Sequence, residues 1–169
     1  DRSPAPQNLL LSRIPELDML RDEAFTIKQL NLSHSQENVI RGFHAEDWNK
    51  LITIVHGSAF CAWVDVRPDS ETFGDVVTME MGMGSDATFG SMFVSSGIAN
   101  SFLVTEGELE YLYAVDELYS ERNPDGDVAL NLFDEKLAVE WPIPREEMII
   151  SDRDKAAVSF DDFFKEELK

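Results

Sequence analysis

The sequence predicts an all-β domain, a sandwich or barrel of short strands, and three observations carry that expectation. Short segments of alternating or continuous apolar character recur from Thr26 to Val115. Turn-forming clusters punctuate them: Gly57, Arg67-Pro68-Asp69-Ser70, Gly82 with Gly84, Ser95-Ser96-Gly97 and Glu106-Gly107. No amphipathic helix separates successive strands, which argues against a parallel α/β sheet. Many short strands at this spacing belong in a sandwich or barrel.

Taken in order, residues 1–24 read as an irregular segment, with a proline-rich start at Asp1–Gln7 and a short turn or helix over Leu9–Leu20. Thr26–Ser33 alternates as a half-buried strand does. Strands are then expected at Asn38–Phe43, Lys50–His56, Ser58–Val66, Asp75–Met81, Phe89–Val94, Asn100–Glu106 and Leu109–Val115. Beyond Tyr119 the chain is turn-rich at Asn123-Pro124-Asp125-Gly126, then packs Trp141-Pro142-Ile143-Pro144. Phe160, Phe163, Phe164 and Leu168 have helical spacing and predict a short closing helix over Phe160–Leu168. The expected organisation is one domain over residues 25–169, with no repeat and no internal boundary.

At 169 residues the chain can bury a real core. No apolar run approaches the ~18–20 residues of a membrane span, and the N-terminus lacks the apolar region of a signal peptide. A soluble, cytoplasmic protein without a membrane partner is expected. Its single cysteine, Cys61, excludes an internal disulfide and a Cys-based zinc site and reads as a buried filler. The net charge of −19 argues against nucleic acid, which needs a basic face. So acidic a chain would also repel a phosphorylated ligand unless its 14 Lys and Arg were concentrated at a pocket.

The stretch Val39-Ile40-Arg41-Gly42-Phe43-His44-Ala45-Glu46-Asp47-Trp48-Asn49-Lys50-Leu51-Ile52-Thr53 offers such a place. Only three histidines occur in the chain, and His44 lies between Arg41 and Lys50. Cations on either side suit an anionic or electron-rich ligand, and a histidine there reads as a general base. His34 and His56 read as structural or surface residues, Phe60 and Trp63 as core, and Trp48 as lining the mouth of the pocket. Ser58–Val66 fits core and interface equally well.

Several stretches together resemble the dTDP-4-dehydrorhamnose 3,5-epimerase family of nucleotide-sugar epimerases. They are Gln29-Leu30-Asn31-Leu32-Ser33-His34-Ser35, Val39–His44, Lys50 ahead of Val55-His56-Gly57, and Val64-Asp65-Val66-Arg67-Pro68-Asp69-Ser70-Glu71-Thr72-Phe73-Gly74. Gly97–Phe102, Tyr113 with Tyr119, Trp141-Pro142 and Ile150-Ser151-Asp152-Arg153-Asp154 follow in family order. Each piece alone is weak, and the ordered set is specific.

The resemblance implies a cupin-type jelly roll with a short C-terminal helix, acting as a homodimer on a nucleotide-diphosphate sugar without metal or redox cofactor. It implies epimerisation of a 4-keto-6-deoxy sugar at carbon 3, carbon 5 or both. By the same resemblance His44 matches the base, Asp154 the carboxylate that orients it, Lys50 the cation near the keto oxygen and Tyr113 the general acid. Arg41 would hold sugar or diphosphate; Gln29, Asn31, Ser33, Asn100 and Tyr119 complete the substrate-binding set. From the residues alone, Asp154 also reads as a cap of the following segment, with Asp152 a competitor for its role.

The chain departs from the family pattern in four places. Asn100 stands where the family commonly has a second histidine, and Ala45 where an aromatic usually follows the base. The aromatic pair after the acid is reduced to Leu118-Tyr119. No Arg-Gly-x-Phe segment, which brings nucleotide contacts in the family, precedes Phe25. Three other readings compete. A metal-dependent cupin oxygenase needs two or three histidines and a carboxylate; here Glu46 and Asn100 stand at the second and late ligand positions, which leaves too few. A 3,4-ketoisomerase and a non-catalytic sugar-nucleotide-binding cupin are the others.

Overall fold

Eight strands are present among the residues that the computed structural model describes, 25–123 and 127–165. They are β1 (Gln29–Ser35), β2 (Val39–Ala45), β3 (Lys50–Asp65), β4 (Val76–Gly82), β5 (Ser91–Val94), β6 (Ile98–Val115), β7 (Val128–Ala129) and β8 (Ile149–Ile150). Two short helices follow, α1 (Asp152–Lys155) and α2 (Phe160–Phe163).

Two long strands carry the sheet. β3 and β6 pair antiparallel along their lengths, and the other strands attach to one half or the other of this ribbon. β5 and β1 flank the half that holds Lys50–Thr53 and Leu109–Val115. β4 and β2 flank the other half, with β7 and the parallel strand β8 beyond β2. Two half-sheets sharing β3 and β6 fold their inner faces onto one core, an all-β jelly roll of the cupin type.

Side-chain alternation shows how the ribbon does this. In a regular strand Ile52 and Ile54 would face away from Cys61 and Trp63, because alternate residues share a face. Instead Ile52, Ile54, Ala59, Cys61 and Trp63 lie in one buried cluster with Phe102, Val104, Leu109 and Tyr111. Register shifts between Ile54 and Ala59 insert the extra residue that switches the faces, and the parity of β6 switches between Val104 and Leu109. Gly57 is needed at the switch: its φ is +78°, and a Cβ there would lie 2.3 Å from the carbonyl oxygen of Glu108.

Gly57 and Glu106-Gly107 therefore mark bulges, not turns. The four strands expected over Lys50–His56, Ser58–Val66, Asn100–Glu106 and Leu109–Val115 are two continuous ones, since glycine with positive φ serves a bulge as well as a turn. The strand expected at Thr26–Ser33 runs later, over Gln29–Ser35. Ser58–Val66 is core: Ala59, Cys61, Ala62, Trp63, Val64 and Val66 are all buried. Burial pushes the Cys61 thiol up to about 12, in keeping with an inert filler.

A second core lies behind the β2 half-sheet. Ile40, Phe43, Val64 and Leu103 pack there against Leu130, Leu132, Phe160 and Phe164. The closing helix is seen over Phe160–Phe163, and a helix this short is not stable alone. Burial of Phe160 and Phe164, worth ~1.5–3 kcal/mol each, holds it in place. The expected irregular segment, the Leu9–Leu20 helix, Pro124–Gly126 and the end of the closing helix lie outside the described residues. Among the described residues no helix is long and apolar enough to cross a membrane.

Gly57→Ala is expected to destabilise the fold by ~1–3 kcal/mol, through strain and collision with the Glu108 carbonyl. Gly90→Ala, where no atom lies within 4 Å of an added Cβ, is expected to change stability by less than ~0.5 kcal/mol. Denaturant midpoints of the two variants check this.

Candidate active site

One end of β2 supplies two of the site's residues. Ile40, Phe43 and Ala45 are all buried in the second core, so the strand's alternation breaks between residues 40 and 43. The register against β6 shifts between Arg41 and His44, and Gly42 sits there with φ 127°. A Cβ on Gly42 would lie 2.3 Å from the Ser101 Cβ, so only glycine lets the strands approach this closely. The shift turns Arg41 and His44, three positions apart, away from the second core together.

His44 is held by a carboxylate more than a hundred residues away. Its Nε2 donates to Asp154 Oδ1 at 2.7 Å. Ser151, the N-cap of α1, accepts from the Asp154 backbone N–H at 3.1 Å and fixes the start of the helix. Capping thus belongs to Ser151, which frees the Asp154 side chain for His44. Asp152, the competing carboxylate, is exposed and pairs with Lys155 at 3.4 Å. Burial by itself would raise the Asp154 carboxyl, but the hydrogen bond and charge of His44, with the Ser151 hydrogen bond, outweigh it and hold the group below the usual aspartate value. An ionised Asp154 can only accept, so in the neutral form of His44 the imidazole proton lies on Nε2 and the lone pair on Nδ1.

Lys50 opens β3 between Val94 of β5 and Val115 of β6, on the same face as Ile52 and Ile54. Its ammonium is buried; it donates to Asn100 Oδ1 at 2.7 Å and ion-pairs with the Glu46 carboxylate. Asn100, in turn, pairs with His44 across β2 and β6. Tyr113 lies on the other half of β6, beside Ile52 of β3 and Asn31 of β1. Desolvation raises its phenol above the ordinary tyrosine value; the charge of Glu46 adds to this, Arg41 partly offsets it and Tyr119 adds again. His44, Lys50 and Tyr113 lie at one mouth of the inner core: Asn100 links the first two, and Tyr113 is two positions along β6 from Val115, the strand partner of Lys50.

β1 lines this mouth with polar groups and turns its apolar ones outward. Gln29, Asn31 and Ser33 are half-buried, whereas Leu30 and Leu32 are each 62% exposed. Gln29 donates to Asn31 Oδ1 at 2.7 Å and accepts from the Tyr119 N–H at 3.0 Å, while Ser33 reaches the Tyr111 carbonyl only at 3.5 Å. Tyr119 is 61% exposed and packs over the Arg122 guanidinium, 4.1 Å from ring centroid to Cζ. Trp48 does not line the open mouth as expected: it is buried, 6.4 Å from Tyr119 by ring centroids. His34 is exposed and meets Glu110 at 2.9 Å, consistent with a surface role.

Contacts join His44 to Asp154, Lys50 to Asn100, and Gln29 to Asn31 and Tyr119, whereas Ser33 reaches only the Tyr111 carbonyl. Sequence reasoning missed Glu46 as a partner of Lys50 and Arg122 as a partner of Tyr119. The first was signalled by a carboxylate two positions after the histidine; the second had no periodic signal, lying in a turn. An apolar hollow of about 350 Å³ lined by Trp63, Val77, Met92, Val94 and Ile98 adjoins the site, because Trp63 pairs with Asn100 and Val94 with Lys50. A polar hollow of about 600 Å³ around Asn131, Asp134 and Ser159 contains none of these groups. Among the described residues no three His, Cys, Asp or Glu side chains are grouped to hold a metal ion.

The fold is a cupin-type jelly roll that holds a histidine–carboxylate pair, a buried lysine and a half-buried phenol. Comparison with known proteins gives the family. The profile of the family described as dTDP-4-dehydrorhamnose 3,5-epimerase matches residues 16–162. The dTDP-4-dehydrorhamnose 3,5-epimerase of Mycobacterium tuberculosis is 34% identical over 143 residues, covering 80% of this chain and 67% of its own length. Protein RmlC homolog of Streptococcus pyogenes is 37% identical over 114 residues, and the match spans 67% of this chain and only 55% of that relative. Among solved structures, RmlC from Streptococcus suis in complex with dTDP-D-xylose has a TM-score of 0.73 at 30% identity, covering 93% of this chain and 76% of that one. The Legionella pneumophila epimerase in complex with dTDP-4-keto-L-rhamnose has a TM-score of 0.76 at 25% identity, covering 92% and 80%. The chain belongs to the dTDP-4-dehydrorhamnose 3,5-epimerase family.

Because the Asp154 carboxyl is depressed in the folded protein, its contribution to stability is fully present above the unfolded value of ~3.9 and is lost as pH falls through the folded value. The difference in unfolding free energy between the wild type and Asp154→Asn is therefore expected to be constant above about pH 5 and to shrink toward pH 2. Urea unfolding across this range measures it.

Proposed function

We propose that this chain epimerises a 4-keto-6-deoxy nucleotide sugar of the dTDP-4-dehydro-6-deoxyglucose type, at carbon 3, carbon 5 or both, through an enolate. The observation that carries the reading is the 2.7 Å His44–Asp154 hydrogen bond at the same mouth as Lys50 and Tyr113. The ketone acidifies the C–H bonds on both neighbouring carbons. His44 Nδ1 takes one of these protons while Asp154 stabilises the imidazolium that forms. Negative charge moves to the keto oxygen, and the Lys50 ammonium answers it. Tyr113 then returns a proton to the opposite face, which inverts the carbon, and its raised phenol still carries that proton at neutral pH.

Arg41, exposed beside His44, is suited to an oxyanion of sugar or diphosphate through paired hydrogen bonds. Gln29, Asn31, Ser33 and Asn100 offer polar contacts to the sugar, and the open face of Tyr119 offers a base a stacking surface. The reading includes a homodimer in the cytoplasm. The exposed outward face of Leu30 and Leu32 supports the dimer, because a strand with its polar residues inward and leucines outward is better buried against a second copy.

The test is proton NMR of the protein with dTDP-4-keto-6-deoxyglucose in heavy water. Deuterium is expected at carbon 3, at carbon 5 or at both. His44→Ala is expected to slow incorporation by ~10²–10⁴-fold, and Tyr113→Phe to permit exchange while losing inversion. Absence of label in the wild type with the sugar nucleotide still bound would contradict catalysis and leave a binding protein.

A further inference from the structure

Glu46 is the group at this site that the proton-transfer scheme leaves unused. It lies in the connection from β2 to β3, two residues beyond His44 and four before Lys50. Its side chain is 17% exposed, that of Lys50 8%, so the ion pair between them is shielded from water. Glu46 Oε2 is fully buried and makes no hydrogen bond of good geometry, which leaves the Lys50 ammonium as its compensating charge. Lys50 is then gripped from two sides, by this carboxylate and by Asn100 Oδ1 at 2.7 Å. A buried carboxylate that lost its ion-pair partner would be costly, so the grip is strong in both directions.

We propose that Glu46 is a positioning residue of this site, which pins the Lys50 ammonium against Asn100. The inference rests on the epimerase reading given above. It also assigns a use to Asn100, which carries no charge: its amide oxygen is the second anchor of Lys50. Lys50 therefore meets a developing oxyanion from a fixed place, with its charge partly balanced until the enolate forms.

Two readouts on wild type and Glu46→Gln test this, with circular dichroism confirming that the variant is folded. The first is nitrogen-15 NMR of the lysine side-chain ammonium groups, with Lys50 assigned through Lys50→Arg. The second is the kcat and KM of deuterium incorporation into dTDP-4-keto-6-deoxyglucose. The expectation is that the Lys50 ammonium gives a slowly exchanging signal in the wild type that is lost in Glu46→Gln, and that kcat falls about tenfold with KM within about threefold. The same Lys50 signal in the two proteins would overturn the proposal, as would a loss confined to KM. If the wild type shows no deuterium incorporation, the epimerase reading fails by itself, and the ammonium signal still decides whether Glu46 holds Lys50.

Discussion

Side-chain alternation is the constraint on which this fold depends. A long strand presents every second residue to each face, so a ribbon crossing from one half-sheet to the other would carry its inner residues to the outside halfway along. β3 and β6 avoid this by switching parity around Gly57 and Gly107. Ile52 and Trp63, or Phe102 and Tyr111, can then share one core although regular alternation would separate them. β2 makes a similar change at Gly42 and brings Arg41 and His44 to the same side. Without these irregularities Tyr113 would face away from the core that Asn100 adjoins.

The proposed ligand is anionic, and electrostatics explains how so acidic a chain would accept it. A net charge of −19 repels a diphosphate at long range, but that repulsion is screened within about 8–10 Å at physiological salt. What matters at contact is the local arrangement, and there the cations are fixed rather than numerous. Lys50 is set by Glu46 and Asn100, and Arg122 by Asp127 at 2.7 Å. Pre-set charges answer charge developed in a transition state without reorganising, which is where such groups have their greatest effect.

Much of this was legible in the sequence because strand periodicity and residue chemistry are local. The alternation of Gln29–Ser33 gave a strand with polar groups on its inner face, and the scarcity of histidine drew attention to His44. The two fused strands were not legible: Gly57 and Glu106-Gly107 carry the same residue signal whether the chain turns or bulges, and only long-range pairing decides. The choice between Asp152 and Asp154 was equally non-local, since it depends on Ser151 taking the cap and on His44 lying opposite. Glu46 and Trp48 were read by neighbourhood alone, and the structure gave one a partner in Lys50 and buried the other beneath Tyr119.

The central claim is that one mouth of the jelly roll places a base and an acid on opposite sides of a sugar ring. A crystal structure of the protein with dTDP or a non-reactive nucleotide sugar bound would test it most directly. The account predicts a ring carbon within about 3–3.5 Å of His44 Nδ1 on one face, the Tyr113 hydroxyl on the other, and the keto position toward Lys50. A ligand seated elsewhere, or a ring with His44 and Tyr113 on the same face, would contradict it.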